Sequence, residues 1–281
     1  MTQKTISYYA DPVNVPENEA DMLILEIGQT DLVCMHKSMH TGKIEGFELF
    51  HINEDSVDWS DVFFQLKLES KFMNQTYREV HCHFNFPEAL ILPEKSFTAA
   101  SAEDYLSLVY GSADKVDYKF DSILLSDTHL VNAYRIRKTI HEQLCRQFVL
   151  YKSHHIYTRI LEDLLNRQDL SEHFMRIQFY SKHCILAVIK ENRLQLIQSF
   201  SFTADEDLLY HLIHCINQFS FTIALSHLEI SGIFDNGNLL HQQLQGLFGL
   251  ITFDETKPDG ILKLAGSYPA YYFNSFYKLA V

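Results

Sequence analysis

The sequence predicts an α/β protein of two similar domains, each a mixed sheet with covering helices. Three observations predict it. The hydrophobic pattern reads β-β-β-α-β-α twice, roughly 150 residues apart. In each copy the first three strands join by short turns and the later ones through helices, which makes the sheets mixed. The first copy alone carries an insertion after its fourth strand. A chain of 281 residues accommodates two domains. The expected limits are 22–170 for the first, with an inserted subdomain at about 86–137, and 171–281 for the second. Residues 1–21, with Pro12, Pro16 and several acids, read as a loose leader that lacks the basic start and apolar block of a signal peptide.

The elements follow in order. "MLILEI", "DLVCMHKS" and "KIEGFELFHI" are three strands with short turns between them. "VDWSDVFFQLKL" is a helix with Val62, Phe63 and Leu66 on one side, and "REVHCHFN" is the fourth strand. The insertion holds "EALILP", the helix "AEDYLSLVYG" and the strands "YKFDSILL" and "HLVNAYRIR". The helix "KTIHEQLCRQF", the strand "FVLYKSH" and the helix "IYTRILEDLLN" complete the first half. The second half opens on "FMRIQFY" and a hairpin turned at Glu191-Asn192. In "ADEDLLYHLIHCINQF", Leu208, Leu209, Leu212, Ile213, Ile216 and Phe219 form one helical face, with Asp205, Glu206 and Asp207 in the first turn where the helix dipole favours them. "HLEISGIF", "NGNLLHQQLQGLF" and "GLITF" add a strand, a helix and a strand. In "SYPAYYFNSFYKLAV", Tyr272, Phe273, Phe276 and Leu279 share a face, either packed on the second sheet or exposed to a partner.

Composition narrows the function classes. The formal net charge of −13 repels nucleic acid and acidic membrane surfaces. From Tyr134 to Arg159 the balance reverses, with Arg135, Arg137, Lys138, Arg146, Lys152 and Arg159 against Glu142. That stretch is a solvated surface or a docking patch for an acidic partner. Five scattered cysteines without a CxxC pair read as free thiols, mostly buried, in a reducing compartment. No apolar run reaches the eighteen or so residues that span a bilayer. Cytoplasmic placement is the expectation.

Three short stretches bear on chemistry. The first turn is Glu26-Ile27-Gly28-Gln29-Thr30-Asp31, the second Gln178-Phe179-Tyr180-Ser181-Lys182-His183, and the third Ile230-Ser231-Gly232-Ile233-Phe234. With the order of elements, they resemble the actin-like ATPase fold, which pairs two ribonuclease-H-like domains. The insertion is similar in place to that of the bacterial branch, including the cytoplasmic actin-like proteins of type IV pilus assembly and type II secretion. More narrowly, residues 22 to 279 look like an uncharacterised Bacteroidetes family with that fold. The resemblance implies an Asp-x-Gly-Thr turn in the first hairpin, an Asp-x-Gly-Gly-Gly-Thr turn in the second, and a Gly-Gly pair late in the second half that receives adenosine. Glycines let backbone N–H groups approach phosphate, and acids hold Mg²⁺ or a water.

This sequence departs from that pattern. Glu26 stands for the first Asp, Gly28 and Thr30 remain, the second turn has neither acid nor glycine, and Gly232 is followed by bulky Ile233 and Phe234. The expectation is a protein without catalytic residues or a cofactor, binding a protein partner through an actin-like scaffold. Gly28 would supply a positive φ to an ordinary hairpin. The alternative is a divergent ATPase or small-molecule kinase. It would bind ATP and Mg²⁺ with Glu26, Gly28, Gln29 and Thr30 at one phosphate and Ser181 or Lys182 at the other, and with Gly232 at the nucleoside.

Other constellations carry less. His81 and His83 share a strand face, His211 and His214 a helix face, and His154-His155 opens a helix, but each pair lacks further metal ligands. His141-Glu142-Gln143-Leu144-Cys145 lacks the second histidine of a zinc-protease helix. Asp55, Asp58 and Asp61 crowd a helix start, the usual place for acids.

Overall fold

The computed structural model describes residues 2–10, 21–52, 58–124, 129–264, 266 and 268–280. The chain divides into two units. The first takes residues 1–162, 259–265 and 279–281, and the second takes 163–258 and 266–278. A single change of domain at 170/171 is therefore replaced by an earlier change at 162/163 and two short returns to the first unit.

The first unit begins with a strand where a loose leader was expected. β1 (Thr2–Tyr9) pairs antiparallel with the later strand 44–52. Its alternating pattern exposes every second residue, and Lys4 reaches the fully buried Glu48 at 3.0 Å. Tyr9 donates to the same carboxylate at 2.6 Å. Pro12 and Pro16 lie outside the described residues. β2 (Met22–Gly28), β3 (Asp31–Lys37) and β4 (Ile44–Ile52) form the expected antiparallel run.

α1 (Trp59–Glu69) starts at Asp58, whose carboxylate caps Ser60 N–H at 2.8 Å, and buries Val62, Phe63 and Leu66. Asp55 lies outside the described residues. β5 (Glu79–Asn85) runs parallel to β2. β6 (Ala89–Pro93), α2 (Ala102–Tyr110), β7 (Val116–Leu124) and β8 (His129–Arg137) follow, the three strands making a separate sheet in the order β6-β8-β7. α3 (Lys138–Gln147) leads to β9 (Lys152–His155), and α4 (Ile156–Leu165) follows. β9 is shorter than "FVLYKSH" suggested, because Val149 and Leu150 face solvent. The main sheet has the order β1-β4-β3-β2-β5-β9.

The second unit holds β10 (His173–Phe179), β11 (His183–Lys190) and β12 (Arg193–Ser201). Glu191 and Asn192 both have positive φ, 51° and 58°, which suits the two-residue turn between β11 and β12. α5 (Asp205–Gln218), β13 (Ser226–Gly232), α6 (Leu239–Gln245), β14 (Leu250–Phe253) and α7 (Tyr271–Tyr277) complete it. The sheet order is β12-β11-β10-β13-β14, with β13 parallel to β10 and to β14. Leu208, Leu212 and Ile216 of α5 and Leu240 and Leu244 of α6 pack on Met175, Ile177 and Phe179. Ile213, expected on that face, is exposed, and Cys215 is buried instead. α7 packs on β13 and buries Tyr271, Phe273 and Phe276 rather than Tyr272. Four cysteines are buried free thiols, and Cys145 is exposed.

Candidate functional site

Each unit contains a hairpin, β2–β3 in the first and β10–β11 in the second, and the predicted site residues gather at the two hairpins separately. In the first, Gly28 ends β2, Gln29 is exposed and Thr30 is half-buried. Gly28 is not among the positive-φ residues, so the expected positive φ is not its role. A Cβ there would lie 3.1 Å from the Asp31 carbonyl oxygen and 3.3 Å from that of Asn85. Close approach of three strand ends is what calls for a glycine. The Thr30 carbonyl accepts from Ile52 N–H at 2.9 Å, and its hydroxyl bonds the Asp31 carboxylate at 2.9 Å.

Glu26 is buried on β2, and Asn85 Nδ2 donates to its Oε1 at 2.8 Å. Parallel pairing sets Glu26 opposite His83, and His83 opposite His154 on β9, so these side chains share one face of the sheet. The His83 and His154 rings stack at 6.2 Å. His83 is fully buried, and neither ring nitrogen has a hydrogen-bond partner among the described residues. Burial above all, then the charge of Arg159, pushes its pKa well below the ordinary value and keeps it neutral. Asp31, also buried, holds His51 through Nδ1 at 2.6 Å. Sequence reasoning gave no role to Asn85, Asp31 or His51. Strand register, which brings together residues 59 apart in the case of Glu26 and Asn85, is the signal that finds them.

The second hairpin is closed differently. Tyr180 N–H donates to the His183 carbonyl at 2.9 Å, and the two rings stack at 4.6 Å with 4° between their planes. Gln178 Nε2 donates to the Tyr180 hydroxyl at 2.5 Å. Ser181 is half-buried, and Lys182 is exposed with its carbonyl accepting from Phe202 N–H at 3.2 Å. At the end of β13, Gly232 has φ +87°, and a Cβ there would stand 2.2 Å from the Phe179 carbonyl oxygen. Ile233 N–H donates to that carbonyl at 3.0 Å. The space beyond is filled by rings. Phe234 lies 4.8 Å from Phe179 and 6.3 Å from Phe253, Phe253 lies 4.4 Å from Tyr271, and the Tyr271 hydroxyl donates to the Phe234 carbonyl.

The second unit also holds a charged pocket of 430 Å³. Arg176 is buried in it between Glu229 and Asp163. Lys278 lies 2.7 Å from Asp254 and 3.0 Å from Asp163, and Arg167 lies 2.8 Å from Glu229. Burial favours the neutral carboxyl at Asp163, but Arg176 and Lys278 outweigh it and hold its pKa below the usual range. Asp254 is lowered likewise, burial again opposing Lys278 and Arg176. Each cation has carboxylate partners, so the network ties the sheet to α4 and to the chain after α7.

Among the described residues, no group of three or more His, Cys, Asp or Glu side chains could hold a metal ion. Nor is any helix there long and apolar enough to cross a membrane.

Two hairpin-led mixed sheets with a three-stranded insertion in the first half define an actin-like ATPase fold. A protein of Bacteroides thetaiotaomicron with that fold and unknown function superposes with a TM-score of 0.78 at 15% identity, covering 96% of this chain and 100% of its own. A chain of the PilM–PilN type IV pilus biogenesis complex superposes at 0.52 and 11% identity, over 94% of this chain and 98% of its own. The model of the DUF3822 family, described as a protein of unknown function, matches residues 10–249, and the chain belongs to that family. No curated protein matches it.

Proposed function

We propose that this is a cytoplasmic, non-catalytic scaffold or adaptor of the actin-like fold that acts by binding another protein. The observation that carries the reading is the aromatic filling of the second unit. Phe234, Phe179 and Phe253 occupy the space after Gly232, and the Tyr180–His183 stack occupies the turn where a phosphate would need backbone N–H groups. The pilus neighbour, a complex of PilM with PilN, supports a protein partner. The net charge of −13 argues against nucleic acid as that partner. A Bacteroides source for the first neighbour supports an origin in Bacteroidetes.

The test is thermal unfolding with and without millimolar MgATP or MgADP. A ligand at about a hundred times its dissociation constant would stabilise the native state by roughly 2.7 kcal/mol. No shift is expected, and a pull-down should then return a protein partner. A second reading, a divergent ATPase or small-molecule kinase, draws on the buried Glu26 carboxylate beside Gly28. It requires a thermal shift that disappears in Gly28→Val and in Lys182→Ala.

A further inference from the structure

The loop between β13 and α6 reads Asp235-Asn236-Gly237-Asn238, and all four residues are exposed. An asparagine followed by glycine is the pair in which a backbone nitrogen most readily reaches a side-chain amide carbon, because glycine has no Cβ to obstruct the approach. Gly237 has φ +87°, and nothing lies within 4 Å of where its Cβ would stand. The Gly237 N–H donates to Nδ1 of His241 at 3.3 Å. The amide nitrogen that would act as nucleophile therefore already points its proton at an imidazole nitrogen. His241 is fixed where it is. Its backbone N–H bonds the Asn238 side chain at 2.8 Å, and its ring packs against Phe253 at 5.6 Å and Phe234 at 6.1 Å.

We propose that Asn236 is a site of self-catalysed deamidation, with His241 as the base. Gly237 N forms a bond to Asn236 Cγ while His241 Nδ1 takes the N–H proton. The Cγ–Nδ2 bond then breaks, and the amide leaves as ammonia with the proton returned from His241. The product is a five-membered succinimide, which water opens at either carbonyl to aspartate or isoaspartate. In sum, asparagine and water give an acid and ammonia. The loop gains a negative charge beside Asp235. On the isoaspartyl branch it also gains a backbone methylene, two residues after Phe234, whose carbonyl anchors Tyr271.

The experiment incubates the full chain at neutral pH. It follows the mass gain of about 1 Da, assigned to position 236 by fragmentation, and isoaspartate by enzymatic methylation. A synthetic peptide of residues 230–243 serves as the unstructured reference. The folded chain is expected to react faster than the peptide. His241→Leu and His241→Gln should both slow it roughly tenfold or more, the scale of a lost general base. Glutamine keeps an acceptor but is not a base, so it separates proton transfer from positioning. Circular dichroism confirms that the variants fold. A folded chain slower than the peptide, or a rate unchanged in His241→Gln, would overturn the proposal.

Discussion

In the first hairpin the turn is held by crowded backbone and a carboxylate. Gly28 meets Asp31 and Asn85, and Glu26 takes the Asn85 amide at 2.8 Å. In the second, Gln178 stands where Glu26 stands, and Tyr180 where Gly28 stands. There the same amide chemistry reaches a phenol at 2.5 Å, and a stacked imidazole closes the turn. The first unit thus keeps a polar, ionisable strand end, with neutral His83 beside it and His154 stacked on that ring. The second has moved its charge mid-strand, to the Arg176–Glu229–Asp163 network, and given the strand ends to aromatic packing. Two hairpins of one plan can carry different physics, because the side chains two residues apart at a strand end decide what fills the turn.

The largest expected effect tests the glycines. Gly232→Ala puts a Cβ 2.2 Å from a backbone oxygen at a φ that side chains avoid, and should cost on the order of 3 kcal/mol or more. Gly28→Ala meets its nearest atom at 3.1 Å with no positive φ, and should cost about 1 kcal/mol. Urea denaturation of both variants checks the order by far-ultraviolet circular dichroism. Equal costs would erase the distinction between a strained turn and a merely close one.

Acid should separate the units next. His155, fully buried in the first unit, has its pKa lowered by burial to about 4. The unfolded chain takes up that proton near the ordinary value of about 6.5. Stability from this group is therefore intact above that pH and lost as pH falls toward 4, on the order of 3 kcal/mol in all. His83 acts in the same direction. In the second unit, Asp163 and Asp254 are held below their ordinary pKa of 3.8. Their contribution is present above that value and lost only as pH falls through the lower folded pKa. Trp59, the single tryptophan, lies in the first unit and reports on it alone. Its fluorescence change should precede the loss of circular dichroism from the second unit. Simultaneous loss would mean that the buried histidines do not set the first unit's acid limit.

How far the sequence could be read depended on whether a residue's partner lay close in the chain. β10 alternates apolar with polar residues and β11 is apolar from Cys184 to Ile189, so both were legible as strands, and the Glu191-Asn192 turn was legible from its length. β1 was not. Its pattern is half polar, and the group that makes Lys4 a good edge residue is Glu48, 44 positions away. At the site, Ile233 and Phe234 announced bulk after Gly232, and the Phe234 ring packs on Phe179 at 4.8 Å. Glu26 and Gly28 were legible as members of a turn, but the reason for the glycine was not, since it lies in the Asn85 carbonyl on another strand. His81 and His83 share a strand face with too few ligands for a metal, and the sequence offered no other neighbour for His83. Register instead gives it His154 for a neighbour, and His81 bonds Glu79.

A pair of single hydrogen bonds sharpens the comparison most directly. Glu26→Ala leaves the buried Asn85 amide without its acceptor, a loss of about 2 kcal/mol, because the orphaned donor stays buried. Glu26→Gln keeps an oxygen for the same donor and should recover about half of that. Gln178→Ala removes a neutral bond to a phenol still fixed by the His183 stack, and should cost only about 1 kcal/mol. Thermal melts of the three variants rank them. If Gln178→Ala proved the most damaging, the polar strand end of the first unit would be no more than packing, and the Glu26 carboxyl would have no structural reason to persist.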